Sequence, residues 1–307
     1  MLSHALILTA GLGTRLQPLT FVRAKPAIPV AGEPLVRRII AWLTGQGVAD
    51  LVLNLHHLPH TLTAAVGDGS DLGARVRYSW EQPVILGSAG GPKRALPLIG
   101  ADTFFIVNGD TLTNLNLRAL ASAHAASGAL VTLALAPNRE PHKYGGVLLA
   151  SDGCVTGFAP RGARAQGSWH FIGVQVVRAE AFASVPDGQP ANSVGDTYTR
   201  LLESKPGCLQ GHLSDASFQD IGTTSDYWAT SFALLGDRGP DQAFGRRVRI
   251  DTGAQVIRSI LWDDVEVGAD AVVDECIVTD GVRIPPGSVH RRSVLRAGIQ
   301  GLLVTPL

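Results

Sequence analysis

Apolar positions along the first two-thirds of the chain switch between two periods, and each switch predicts an element. Residues 5–9 form a short apolar run that stops at Gly11, the pattern of a buried strand entering a turn. Leu35, Val36, Ile39, Ile40 and Leu43 recur at helical spacing, with Arg37 and Arg38 off that stripe and Gly45 and Gly47 as stop signals. Residues 51–55, 75–80 and 103–107 read as strands, with helices over 61–66 and 91–98 between them. A helix over 117–126 and a strand over 130–135 continue the rhythm. This alternation predicts an α/β fold, a mostly parallel sheet with helices on both faces.

From about Gly145 the pattern changes. Residues 146–150 and 154–158 flank Ser151-Asp152-Gly153, a hairpin signature. Residues 171–177 read as strand, 197–203 and 226–235 as helix, and the Gly-, Arg- and Asp-rich residues 236–247 as a linker. Further on, Leu261, Val267, Val273 and Thr279 are spaced by six, while Ile284 comes one residue early. A six-residue period with small or polar fillers predicts a short parallel β-helix of about three coils. The expected organisation is therefore an α/β domain over 1–235, the linker, and a coil over 248–307.

Charge narrows the functional classes. Lys plus Arg and Asp plus Glu both number 26 in 307 residues, so no global field recruits nucleic acid or a membrane surface. Any bound anion must be held by a local cluster. Cys154, Cys208 and Cys276 are far apart with no CxxC pair, which suggests neither a disulfide framework nor a thiolate zinc site. No apolar run approaches the roughly 20 residues of a membrane span, and a reduced, cytoplasmic setting is expected.

The most informative stretch runs from Leu8 through Thr20 and on to Val30. A strand entering Gly11-Leu12-Gly13 presents backbone N–H groups without Cβ obstruction, an arrangement suited to phosphate. A Rossmann fingerprint would need a third glycine where Leu16 stands, and there is no Gly-Lys-Ser/Thr of a P-loop. Instead Arg15, Arg23 and Lys25 follow, in a segment (residues 1–32) with no Asp or Glu. This is a concentrated positive site at the carboxyl end of a strand, where open α/β sheets bind ligands. A bare Gly-x-Gly would more simply be a turn beside solvated cations.

The longer string removes that simpler reading. Residues 11–20, Gly-Leu-Gly-Thr-Arg-Leu-Gln-Pro-Leu-Thr, followed by Lys25-Pro26 and Pro29-Val30, resemble the signature of the sugar-1-phosphate nucleotidyltransferases. Ala24 stands where many members have proline. Leu86-Gly87-Ser88-Ala89-Gly90 resembles the family's base-binding loop, and Val107-Asn108-Gly109-Asp110 and Phe218-Gln219-Asp220-Ile221-Gly222-Thr223 resemble its two metal-ligand segments. Tyr144-Gly145-Gly146-Val147 and the hexads also match, so the likeness spans the chain, closest to the mannose-1-phosphate guanylyltransferase-like branch with a left-handed β-helix tail. The resemblance implies a Rossmann-like sheet and transfer of a nucleotidyl group from a nucleoside triphosphate to a sugar-1-phosphate. It implies Arg15 and Lys25 as catalytic residues, and Leu8, Ala10, Gly11, Gly13, Thr14, Gly87, Ser88 and Asn108 on the nucleotide. Gly146, Arg161 and Gly173 would meet the sugar phosphate, and Asp110 and Asp220 would hold Mg²⁺. Relatives often carry Glu-Lys-Pro where this chain has Pro160-Arg161-Gly162, and Asn-Ala-Gly where it has Phe171-Ile172-Gly173.

The chemistry asks for such residues. Two unit charges of like sign at ~4 Å repel by about 4 kcal/mol at an effective dielectric near 20, so neutralisation and alignment are the main tasks. Uridylyl or thymidylyl transfer to glucose-1-phosphate or an amino-sugar-1-phosphate is the alternative. A catalytically silent nucleotide-sugar-binding subunit and a purely structural β-helix adaptor are others. His56, His57 and His60 read as surface or supporting residues, because Pro59 interrupts their helical spacing and no acidic residue lies among them. His124 reads as packing or solvated. The tail is expected to mediate homo-oligomerisation or to brace the catalytic domain.

Overall fold

The computed structural model describes residues 2–236, 243–299 and 301–307. The chain divides into two compact units. Unit 1 comprises Met1–Gly11, Ile39–Pro59 and Val66–Gln219, and unit 2 comprises Leu12–Arg38, His60–Ala65 and Asp220–Leu307. Unit 2 thus groups the basic segment with the C-terminal coil, two stretches that a division in chain order separates. Of the linker expected over 236–247, residues 237–242 lie outside the described residues.

The sheet of unit 1 starts from four parallel strands, β1 (His4–Leu8), β2 (Asp50–Leu55), β3 (Arg75–Trp80) and β4 (Thr103–Asn108), in the order β3-β2-β1-β4. Their register pairs Leu8 with Asn108 and Ile7 with both Leu53 and Val107, so the carboxyl ends of β1 and β4 open onto one rim. The remaining strands are β5 (Thr111–Thr113), β6 (Val131–Pro137), β7 (Gly146–Leu149), β8 (Val155–Ala159), β9 (Trp169–Arg178), β10 (Leu209–Leu213) and β11 (Phe218–Asp220). β9 runs antiparallel to β4, β6 and β7, and β10 joins β6 in parallel. The hairpin foreseen at Ser151-Asp152-Gly153 is β7 and β8, antiparallel. β5 and β11 form a separate two-stranded ribbon.

The predicted helices form as α1 (Leu35–Thr44), α2 (Pro59–Val66), α3 (Gly87–Ile99), α4 (Leu117–Ser127), α5 (Tyr198–Ser204) and α6 (Thr224–Leu235). Within unit 1, α3 and α5 pack on one face of the sheet and α4 on the other, the faces being set by strand alternation. Leu6, Val52, Ile106, Leu133 and Leu135 pack with Ala89, Ala95 and Ile99 of α3 and with Tyr198 of α5. The opposite face carries Thr132, whose hydroxyl lies 2.8 Å from Nδ1 of buried His124 in α4. Burial lowers the His124 pKa, with Arg178 adding to it, so this histidine is a packed one. α3 begins four residues before the apolar pattern predicts it. Gly87-Ser88-Ala89-Gly90 is a weak helix former, and the Ala191 carbonyl, accepting from Ala89 and Gly90 at 2.9 and 3.2 Å, supplies the missing support.

The coil of unit 2 has three columns of short parallel strands. Ile250 pairs with Val267 and Val267 with Ile284, Val256 with Val273 and Val273 with His290, and Ile260 with Ile277 and Ile277 with Val294. Each step advances 17 residues, as in the ladder from Arg246 to Asp263. A coil therefore holds two six-residue faces and one of five, which is why Ile284 arrives early. Val267, Val273, Val278, Ile284 and Leu295 fill its interior. Corners fall at left-handed residues in register, such as Asp264 and Gly281, Asp270 and Gly287, and Glu275 and Arg292. A final antiparallel strand, Gly301–Pro306, closes on Ser293–Gly298.

Candidate active site

In unit 1 the structure brings together segments far apart in sequence. The Gly109 amide donates to the Leu8 carbonyl at 3.0 Å, locking the Asn108-Gly109-Asp110 turn against the end of β1. β9 changes register between Phe171 and Gln175, and Gly173 sits in that irregularity at φ 81°. A Cβ there would lie 2.9 Å from Asn108 Nδ2 and 2.8 Å from Thr111 Oγ1, so backbone passes directly over the turn. Leu8, Asn108 and Gly173 thus share one patch of the rim, with half-buried Asp110 next in the chain.

A buried polar relay that the sequence reading missed ties this patch to the loop at Gly87-Ser88. The Thr9 amide donates to Asn54 Oδ1 at 2.6 Å. Asn54 Nδ2 donates to Glu81 Oε1 at 2.7 Å, and the Leu86 amide donates to Glu81 Oε2 at 2.6 Å. Thr9, Asn54 and Glu81 are all buried. Each polar group ends on a partner, as burial demands. Ser88 Oγ accepts from the Ser193 amide at 2.9 Å, which fixes the first turn of α3. The sequence did contain a signal: Asn54 interrupts the apolar run of β2, and Glu81 follows a strand directly.

In unit 2 the glycine-rich segment folds into short 3-10 turns, Thr14–Leu16, Leu19–Phe21 and Lys25–Ala27, pinned by buried Leu16 and Leu19. Gly13 is left-handed at φ 61°, and a Cβ on it would lie 2.7 Å from Thr20 Cγ2 and 3.2 Å from Lys25 Cβ. By contrast nothing lies within 4 Å of a Cβ placed on Gly11. Arg15 and Thr14 are exposed. A Cβ on Gly222 would lie 3.2 Å from Arg15 Nη1, 3.2 Å from Asp226 Oδ2 and 3.3 Å from Asp220 Oδ2. Arg15 and Asp220 therefore meet over one glycine. Asp226, absent from the sequence reading of the site, joins them while serving as the third residue of a capping box with Thr223. Arg23, read as part of the cationic cluster, is instead paired with Asp263 and Asp280.

Of the other expected sugar-phosphate residues, Gly146 opens the β7–β8 hairpin of unit 1 and Arg161 follows it. A Cβ on Gly145 would sit 3.0 Å from the Ala159 carbonyl, and one on Gly146 would collide with Ser168, so this backbone is closely packed. Arg161 and Arg164 are exposed. Among the described residues no group of three or more His, Cys, Asp or Glu could hold a metal ion. His56 Nδ1 instead lies 2.8 Å from the Glu81 carbonyl. A cavity of about 960 Å³ in the same unit includes Tyr144, His170 and Phe218 in its lining and none of the expected site residues. Its rings stack at 4.2 and 4.8 Å, and burial pushes the His170 pKa down to about 4.

The model of the nucleotidyl transferase family matches residues 4–236, and that of the GlmU-like C-terminal hexapeptide matches residues 241–290. The chain is 28% identical over 299 residues to the mannose-1-phosphate guanylyltransferase of Mycobacterium tuberculosis (strain ATCC 25618 / H37Rv), covering 94% of this chain and 83% of that protein. It is 33% identical over 222 residues to the N-acetylmuramate alpha-1-phosphate uridylyltransferase of Neisseria meningitidis serogroup B, covering 71% of this chain and 93% of that protein. The crystal structure of HddC from Yersinia pseudotuberculosis shares the fold at a TM-score of 0.65 and 22% identity, over 75% of this chain and 98% of that one. The hexapeptide match agrees with the expected left-handed β-helix, and the match over residues 4–236 with the α/β sheet that precedes it. The chain belongs to the nucleotidyl transferase family, with a hexapeptide-repeat coil at its C-terminal end.

Proposed function

We propose that the protein transfers a nucleotidyl group from a nucleoside triphosphate to a sugar-1-phosphate, giving a nucleotide sugar and pyrophosphate, with mannose-1-phosphate or a related sugar phosphate and GTP as substrates. The observation that carries the reading is the grouping of Arg15 and Asp220 over Gly222, with Lys25 packed against Gly13 in the same unit. A guanidinium and an ammonium on a glycine-rich segment suit a chain of phosphates, the first as a planar fork and the second as a compact charge. Arg15 would take the charge of the departing pyrophosphate, and Lys25 would offset that on the reacting α-phosphate. Gly11 and Gly13 would offer amides, with Leu8, Ala10 and Thr14 beside them, and Gly87, Ser88 and Asn108 would orient the nucleoside. Gly146, Gly173 and Arg161 would receive the sugar phosphate, whose oxygen is itself the nucleophile, so no side-chain nucleophile is required.

Asp110 and Asp220 are the proposed Mg²⁺ ligands. Carboxylates are hard oxygen donors of the kind this ion takes, with waters and substrate phosphates completing its shell. When bound, it would neutralise phosphate charge. The uridylyl alternative draws on the Neisseria relative, the more identical of the two curated ones over a shorter stretch. Both substrates are soluble anions, which fits a cytoplasmic setting; no helix among the described residues is long and apolar enough to cross a membrane. The test is a matrix of four triphosphates against a panel of sugar-1-phosphates, read as pyrophosphate release with Mg²⁺ and with chelator. Release confined to GTP with a mannose-type phosphate, and lost with chelator, is the expected result. Release with UTP or dTTP alone transfers the assignment to the alternative, and no release from any pair removes the enzymatic reading.

A further inference from the structure

The third cation of the glycine-rich segment is turned away from anionic ligands and into the coil. Arg23 Nε donates to Asp280 Oδ2 at 2.8 Å and Nη2 to Asp280 Oδ1 at 2.7 Å, a forked pair. The same Nη2 donates to Asp263 Oδ2 at 2.9 Å. Asp263 and Asp280 occupy one column of the coil, 17 residues apart, and the Asp263 amide donates to Asp280 Oδ1 at 3.1 Å. Two stacked carboxylates repel unless a cation lies between them. Arg23 supplies one, and Arg246, one coil earlier in the same column, supplies another to Asp263. Burial works against the Arg23 charge, but Asp280 and Asp263 outweigh it and hold the group above its ordinary pKa. Its guanidinium also lies 5.3 Å from the centre of the Trp262 ring. Trp262 is fully buried and donates to the Tyr227 hydroxyl at 3.0 Å, which in turn donates to the Pro29 carbonyl at 2.6 Å.

Both ends of the segment 23–29 are therefore tied to the coil side, and Lys25 lies between the ties. Ala24 is fully buried, and its amide donates to Thr61 Oγ1 at 3.0 Å. The Ala27 amide donates to the Ala24 carbonyl at 2.8 Å, closing the turn that begins at Lys25. We propose that Arg23 is a positioning residue that acts through the C-terminal coil: its fork on Asp263 and Asp280 sets the backbone from which Lys25 reaches the phosphates. The coil is then part of the catalytic apparatus, in addition to any role in assembly. This rests on the reaction proposed above for Lys25.

The test compares Arg23→Ala, Arg23→Lys and Asp280→Asn in the full chain, by pyrophosphate release and by amide hydrogen exchange over residues 22–28. Arg23→Ala and Asp280→Asn are each expected to lower kcat by about tenfold with KM for both substrates changed less than threefold. Arg23→Lys should recover part of the loss, because lysine keeps the charge without the fork. Combining Arg23→Ala with Asp280→Asn should be no worse than the more severe single substitution, the signature of one shared interaction. Exchange over residues 22–28 should speed up in both single variants and stay unchanged in Thr103–Asn108. Wild-type kcat in Arg23→Ala, additive losses, or unaltered exchange would overturn the proposal. Asp280→Asn conserves volume and carries the comparison if Arg23→Ala fails to fold. If the wild-type protein releases no pyrophosphate from any pair, exchange alone decides the positioning claim, and the failure belongs to the proposed reaction.

Discussion

The two units hold their expected site residues by different physics. In unit 1 the rim is set by a neutral scaffold of parallel strands and by a buried relay, Thr9 to Asn54 to Glu81 to Leu86, in which each bond spans at most 45 residues. In unit 2 the basic segment is held in part by half-buried charges, with partners up to 257 residues away. Buried hydrogen bonds are worth most when one member is removed, because the orphaned group loses water as well as its partner. Partly exposed ion pairs are screened and cost less to break. Removing a partner of the buried relay should therefore show mainly in stability, and removing a charge from the basic segment mainly in turnover.

Four variants would break or sharpen this contrast. The largest effect is expected from Arg15→Ala, which should lower kcat by about 10³–10⁵, by analogy with other phosphoryl-transfer arginines, while urea unfolding stays near wild type. A loss below tenfold would make Arg15 peripheral. Glu81→Gln should act the other way. The new amide must point a donor at either Asn54 Nδ2 or the Leu86 amide, and the clash should cost about 1–3 kcal/mol in urea unfolding, with a raised KM for the triphosphate. Unfolding unchanged from wild type would mean the relay carries little stability. The smallest effect separates the two glycines. Gly13→Ala must adopt φ 61° and push against Thr20 Cγ2, for a loss of about 1–2 kcal/mol. Gly11→Ala meets nothing within 4 Å and should stay within about 0.5 kcal/mol of wild-type stability, its effect confined to nucleotide KM. Equal destabilisation by both would show that Gly11 is kept for the fold.

The alternating periods determined the elements. Runs of apolar residues place β1, β2 and β4, helical spacing places α1 and α4, and the six-residue repeat places the coil, because burial of one face imposes its period on the chain. The chemistry of the proposed site was read from short motifs: Arg15, Lys25, Asp110 and Asp220 stand where the family resemblance implies phosphate and metal contacts. Other features depended on partners remote in sequence. The start of α3 at Gly87 needs the Ala191 carbonyl, and the importance of Glu81 needs Asn54 and Leu86 around it. Arg23 reads as one more phosphate cation until Asp263 and Asp280 are found beside it. A local pattern records which face of an element is buried and what chemistry it carries. Which charge is neutralised inside the protein, and which is left for a ligand, is settled only when segments hundreds of residues apart are brought within a few ångströms.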